Sequence, residues 1–393
     1  MFDPSLRANP YPAFRAIRES GPIHWLLQGP PSIGVVSRHA DCAQVLQNPA
    51  LGHVEVSVFH PDTVEAGLRS MLRANPPTHT RLRRLVSKGF TPGRIARFGP
   101  QAQALADELL DAAVAKGDVD LVGAFAQPLP LRIMCSLLGV PAHEETVFGS
   151  WASIHARGLD PDRALSPDER SFLLEAGRAF NDYFTDLIAK RRAEPAGDLL
   201  SDLVGMHDQG DRLSVDELLE LCVLLLVAGY ETTVNLVSGA VLALARDPEQ
   251  FDLLRAHRDL VPSAIEETLR YDPPVQAVSR TALAETEVAG QPYRVGDGVV
   301  VLLAAANRDP DVFPDPDRFD VTRYAGSAAR HFGFGLGVHY CLGAPMARLE
   351  SEIMLNALLD RVSAVELAAD PPPYRPHFTL RGIAELPVHL TPA

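Results

Sequence analysis

The sequence predicts a mainly α-helical protein with a small β region, and two observations carry that expectation. Apolar residues recur at helical spacing over 101–115, 171–192, 215–246 and 345–362. Strand signals are short and few. Residues 33–37 alternate weakly, and 299–303 form a further apolar run. Segments 287–289 and 293–295 flank Gly290-Gln291, which reads as a hairpin turn.

The longest helix has a legible start and stop. Ser214 and Glu217 form a Ser-x-x-Glu capping box. Asp247-Pro248 ends the run, because the residue before a proline avoids the helical region. The stretch between is about 30 residues, hence about 45 Å long. Leu221 to Gly229 is apolar all round, but a membrane span needs roughly 20 such residues. Glu231 would also be costly in lipid. The expectation is a helix through the core of the molecule.

The chain has 393 residues, 46% hydrophobic and 22% charged, which is ample for a large core. No linker, repeat or low-complexity tract divides it, so one domain over 1–393 is expected. Met1-Phe2-Asp3-Pro4-Ser5 has no basic stretch followed by an apolar run, so neither a signal peptide nor a membrane anchor is expected. Cys42, Cys135, Cys222 and Cys341 are far apart and lack metal-type spacing. They suggest a reducing, cytoplasmic setting, with Cys42, Cys135 and Cys222 as plain core thiols. The net charge of −14 argues against general nucleic-acid binding. A local exception is Arg81, Arg83, Arg84 and Lys88, clustered on what reads as a helix.

Cys341 is the residue with most chemistry in it. It lies in Phe332-Gly333-Phe334-Gly335-Leu336-Gly337-Val338-His339-Tyr340-Cys341-Leu342-Gly343, directly before a helix whose first turn holds Pro345. Gly335, Gly337 and Gly343 let the backbone bend and approach something large and flat. A thiolate at a helix N-terminus feels the positive end of the macrodipole and accepts backbone N–H bonds. The loop is suited to holding a sulfur anion still against a large buried partner.

A second unusual segment is Ala228-Gly229-Tyr230-Glu231-Thr232-Thr233, in the middle of the long helix. Gly229 weakens a helix by about 0.5–1 kcal/mol relative to Ala. Threonine hydroxyls bond back to the preceding turn and bend it. A weak, polar turn inside an apolar helix points to a site. Glu267 and Arg270 stand three apart on one helix face, and His79 and Arg83 four apart on another.

The pattern Phe-Gly-x-Gly-x-His-x-Cys-x-Gly, with the motifs around it from Pro76 to Arg348, resembles the cytochrome P-450 family. The resemblance implies that family's mainly helical fold, with one haem b (iron protoporphyrin IX) between the long helix and the cysteine loop. Cys341 would be the axial ligand of the iron. Phe334 and Gly335 would lie beside the haem, and His79, Arg83, Arg280 and His339 would bind its propionates. Glu231 and Thr232 resemble the family's acid–alcohol pair: Thr232 would bond dioxygen and its waters, and Glu231 would bring protons from solvent. Ala228 and Gly229 would leave space for oxygen and substrate. Glu267 and Arg270 match the family's buried Glu-x-x-Arg pair, which a second arginine from a downstream meander joins. Arg318, in Pro316-Asp317-Arg318-Phe319, is chosen for that place, with Arg323 as its rival.

The same match suggests a substrate pocket of Leu224, Val227, Ala228, Val275, Val278, Thr379 and Leu380, helped by residues 51–72 and 155–159. These are mostly apolar and suit a hydrophobic small molecule. The implied activity is a monooxygenase that inserts one atom of dioxygen by C–H hydroxylation or epoxidation, as in the tailoring of natural products. Electrons would come ultimately from NAD(P)H through a ferredoxin, an acidic protein docking near Arg81, Arg84 and Lys88. A monomer is expected. Oxidative coupling, or a peroxide-driven reaction, remains the alternative.

Overall fold

The computed structural model describes residues 4–54, 70–208 and 213–393. The helix Val215–Arg246 runs 32 residues through the core. The Ser214–Glu217 capping box is formed in both directions, with Glu217 N–H to Ser214 Oγ at 3.1 Å and Ser214 N–H to Glu217 Oε2 at 2.9 Å. Asp247 ends this helix, and its side chain caps the next, Pro248–Ala256. The long helix is apolar and long enough to cross a membrane by length and composition. Here it packs against Pro128–Leu138, Glu145–Arg157, Val261–Tyr271 and Ala344–Arg361, which bury most of its side chains.

The other predicted helices are present with small shifts at their ends, as Gly99–Lys116, Pro167–Ala193 and Ala344–Arg361. Pro167–Ala193 begins on a second capping box, from Ser166 and Glu169. Two helices frame the site. The basic helix is Thr78–Ser87, and the Glu-x-x-Arg helix is Val261–Tyr271.

The β region is small. One five-stranded sheet has the order His24–Leu27, Ile33–Val36, Gly298–Val301, Val278–Ala282, Leu51–Gly52. Its pairs are antiparallel except Ile33–Val36 with Gly298–Val301. A three-stranded sheet joins Asp118–Asp120, Pro387–Pro392 and Val362–Leu367. The predicted hairpin pairs Thr286–Val288 with Gln291–Tyr293. Its turn falls one residue earlier than expected, on Ala289 (φ 47°) and Gly290 (φ 78°). Two successive positive φ values match the twist of a tight hairpin, which Gly290-Gln291 would not.

Candidate haem-thiolate site

The cysteine loop is built on backbone hydrogen bonds. Gly335 N–H bonds Phe332 O at 2.8 Å, Tyr340 N–H bonds Gly337 O at 3.1 Å, and Cys341 N–H bonds Phe334 O at 3.0 Å. Gly335 and Gly337 have φ of 70° and 72°. At Gly337 a Cβ would also sit 2.5 Å from the Leu46 carbonyl oxygen, so this turn admits only glycine. Gly343 differs from expectation: its φ is −80°, and it caps the helix Ala344–Arg361 without a left-handed bend. The Arg348 guanidinium covers the Phe334 ring at 4.6 Å and pairs with Glu266 at 2.6 Å. Burial pushes the Cys341 thiol up. The N–H groups of Gly343 and Ala344, with Arg83 and Arg348, pull it back toward the thiolate.

Around this loop the structure gathers basic side chains. The His79 and His339 rings lie 4.3 Å apart, and His53, which the sequence had not marked, stands edge-on to His339 at 5.3 Å. Arg280, on the strand Val278–Ala282, is buried, and among the described residues it bonds only its neighbour's carbonyl, Ser279 O, at 2.8 Å. Burial pushes His53 down to about 2, reinforced by Arg280, and does the same to His339, to about 3. Burial lowers Arg280 to about 10. His79 Nδ1 is buried without a partner. Among the described residues no carboxylate pairs with His53, His79, Arg83, Arg280 or His339. A flat ligand carrying two carboxylates beside a metal fits that donor set, and haem is such a ligand. No cluster of three metal-ligating side chains exists among the described residues to bind an ion directly.

The middle of the long helix is polar as expected. Thr232 Oγ1 donates to Ala228 O at 2.6 Å, and Thr233 Oγ1 to Gly229 O at 3.1 Å. Leu224, Ala228 and Thr232, four apart, are solvent-accessible while Leu225, Leu226, Val227 and Tyr230 are buried. One stripe of a core helix therefore faces open space. Gly229 does not lie on it: a Cβ there would meet Met134 Sδ at 2.5 Å, so its smallness serves packing against Pro128–Leu138. Glu231 is 0% exposed and ion-paired with Arg375 at 2.7 Å.

The Glu-x-x-Arg pair is buried, and its third member is Arg323, not Arg318. Glu267 accepts from Arg270 Nε at 2.7 Å and Nη2 at 2.8 Å, and pairs with Arg323 Nε at 3.0 Å. Arg270 spends its other N–H groups on Asn307 O, Pro316 O and Arg318 O. Arg318 thus contributes its carbonyl, and its side chain is exposed. The turn over Asp315–Arg318 aims carbonyls inward at the arginines, which carries the Arg318 side chain outward.

A cavity of about 880 Å³ opens beside the cation cluster, lined by Arg280, His339 and Gly335 and by Val278 and Thr379 from the proposed pocket. Leu159, from the predicted 155–159 stretch, also lines it, whereas His155 packs edge-on to Phe180 at 4.8 Å. Gly52, His53, Val54 and Leu72 line its mouth, and residues 55–69 of the predicted 51–72 region lie outside the described residues. Val227 and Leu380 are buried in the core instead, and Val275 is joined to Leu380 by a β-bridge. On the basic helix Arg81 is paired with Glu217, while Arg84 and Lys88 are exposed.

In a mainly helical protein, a cysteine turn beside buried basic side chains is the donor set that a haem-thiolate site requires. The sequence pattern of the cytochrome P-450 family matches residues 169–387. Cytochrome P-450 107B1 of Saccharopolyspora erythraea is 42% identical over 327 residues, which are 81% of this chain and 76% of that protein. Vitamin D(3) 25-hydroxylase of Pseudonocardia autotrophica is 36% identical over 100% of this chain and 96% of that protein. The crystal structure of Mycobacterium smegmatis CYP164A2 superposes with a TM-score of 0.91 at 41% identity, covering 99% of this chain and 98% of that one. The chain belongs to the cytochrome P-450 family. It is a haem-dependent monooxygenase that uses dioxygen, an electron-transfer partner and a small-molecule substrate.

Proposed function

We propose that this monooxygenase hydroxylates or epoxidises a hydrophobic small molecule in natural-product tailoring. One observation carries the reading: Cys341 sits in a glycine-only turn beside basic side chains that have no carboxylate partner among the described residues. Bound haem would supply the iron at which dioxygen is activated. Cys341 holds that iron through its sulfur. His79, Arg83, Arg280 and His339 hold the propionates, joined by His53. Phe334 and Gly335 pack beside the ring. Thr232 keeps its hydroxyl on the accessible stripe, where it orients water and donates a hydrogen bond, and Glu231 carries protons inward. Leu224, Ala228, Val278 and Thr379 shape the substrate space.

Glu267, Arg270 and Arg323 keep the scaffold in one unit. Electrons originate in NAD(P)H and arrive through a ferredoxin in the cytoplasm. That protein docks at Arg84 and Lys88, with Arg81 contributing less because Glu217 already neutralises it. The related 6-deoxyerythronolide B hydroxylase of Saccharopolyspora erythraea, 42% identical over 82% of this chain, supports the class of reaction.

The test is to reduce the purified protein, add carbon monoxide and record the Soret band. The strongly red-shifted band of thiolate ligation is expected, and its absence from Cys341→Ser. A histidine-type band in the unaltered protein would overturn the reading. Labelled dioxygen then separates insertion from coupling, since only insertion leaves label in the product.

A further inference from the structure

A proton carrier must move, yet Glu231 is pinned at both oxygens. Oε1 accepts from Arg375 Nη1 at 2.7 Å, and Oε2 accepts from Ser153 Oγ at 3.3 Å. Arg375 Nη1 also donates to Ser153 Oγ at 3.0 Å, which closes a half-buried triangle around the buried Glu231. Burial raises the Glu231 carboxyl, and Arg375 and Ser153 pull it back toward the ionised form. Something has to undo this hold before the side chain can swing.

Arg375 stands on a strap, residues 374–383, tied across by Arg375 N–H to Gly382 O at 2.9 Å and by the Tyr374–Ile383 bridge. The strap lies close on the long helix: a Cβ at Gly382 would be 2.4 Å from Asn235 Oδ1, one turn beyond Glu231. The four residues after Arg375 are Pro376, His377, Phe378 and Thr379, and all four line the 880 Å³ cavity. The same stretch is anchored on its other side. Asp160 accepts from Phe378 N–H at 3.0 Å and Thr379 N–H at 2.7 Å, and Thr379 Oγ1 donates to Leu159 O at 3.0 Å. One short piece of backbone therefore carries both the cavity wall and the guanidinium that grips Glu231.

We propose that Arg375 is a positioning residue for the oxygen chemistry: it holds the Glu231 carboxylate against Ser153, and displacement of the wall 376–379 by a substrate loosens that hold. Proton supply then follows occupancy of the cavity. This rests on the reading of Glu231 as the proton carrier. No contact between Arg375 and substrate is needed, because the strap transmits the displacement over one to four residues.

The test uses the haem-loaded protein with Arg375→Met, Arg375→Lys and Asp160→Asn. The first readout is the infrared band of a protonated carboxyl, assigned to Glu231 by its loss when Glu231→Gln is added to Arg375→Met. At neutral pH the band is expected to be absent from the parent and Arg375→Lys. It is expected in Arg375→Met, where only the Ser153 hydrogen bond still opposes the effect of burial on the carboxyl. Asp160→Asn, which loosens the wall without touching Glu231, is expected to show it at intermediate strength. The second readout is peroxide released per electron under dioxygen, which should rise about threefold in Arg375→Met and return in Arg375→Lys.

An Arg375→Met protein with the parent's band and peroxide yield overturns the clamp. An Asp160→Asn protein with no change in the band overturns its link to the wall. The carbon monoxide spectrum reports folding, and if Arg375→Met fails that check, Arg375→Lys and Asp160→Asn still decide. Should Glu231→Gln keep the parent's product per electron, the proton-carrier reading fails, an outcome distinct from a failure of Arg375.

Discussion

Two clusters of buried charge in this protein are built on opposite rules. Around Glu267 every charged group has partners, with two arginines sharing one carboxylate and meander carbonyls accepting from the remaining N–H groups. Around His339 the basic groups have no carboxylate partner among the described residues, and burial lowers His53, His79, Arg280 and His339 together, which favours neutral imidazole rings beside the charged Arg280. The first cluster is complete as a protein and behaves as scaffold. The second is complete only with an external dianion, which is what the propionates of haem supply. Satisfied charge marks architecture, and unsatisfied charge marks a binding site.

The largest expected effect breaks the first cluster. Glu267→Ala strands the buried Arg270 guanidinium and the half-buried one of Arg323, and should cost about 3–5 kcal/mol in urea unfolding, with or without haem. Arg280→Ala should act the other way round. Removing an uncompensated cation leaves the haem-free protein within about 1 kcal/mol of the parent in the same unfolding experiment. Loss of one charge-assisted propionate bond should speed haem transfer to apomyoglobin about tenfold. Equal loss of apoprotein stability in the two variants would erase the distinction.

A pH titration sharpens it. The folded protein holds His53 down at about 2, under burial and the fields of Arg280, His339, Arg73 and His79. An unfolded histidine titrates near about 6.5. The unfolded chain therefore takes up the proton first, and stability falls as pH drops below that value. Calorimetry of the haem-free protein should show Tm falling from pH 7 to 5, more steeply than in the haem-loaded protein, where propionates support the protonated ring. His53→Gln should flatten the haem-free curve.

The smallest effect concerns Glu350, on the cysteine helix, whose carboxyl is buried with both oxygens unpartnered. Burial raises it well above the usual range, so it is neutral when folded. The unfolded chain loses that proton above about 4.3, so stability falls as pH rises. The Tm advantage of Glu350→Gln over the parent should grow from pH 5 to pH 8.

How far the chain could be read before folding depended on the range of the signal. Ser214, Glu217 and Asp247-Pro248 marked the long helix because capping and proline effects act within a few residues. The cysteine turn was legible for the same reason, since Gly335 and Gly337 answer a local need for positive φ. The hairpin turn slipped by one residue, because Ala289 takes a positive φ that its side chain does not advertise. Gly229 suggests space for oxygen in the sequence alone, but Met134 fills the room beside it.

By itself, then, the sequence determined the mainly helical class, the polar turn over Glu231 and Thr232, and the cysteine at a helix start. Each follows from spacing and backbone preference within one segment. Only the tertiary structure chose Arg323 over Arg318, brought His53 to His339, and laid Arg375 on Glu231 across 144 positions of chain. Such pairings leave no local trace, because a guanidinium or imidazole finds its partner through packing of elements far apart in sequence.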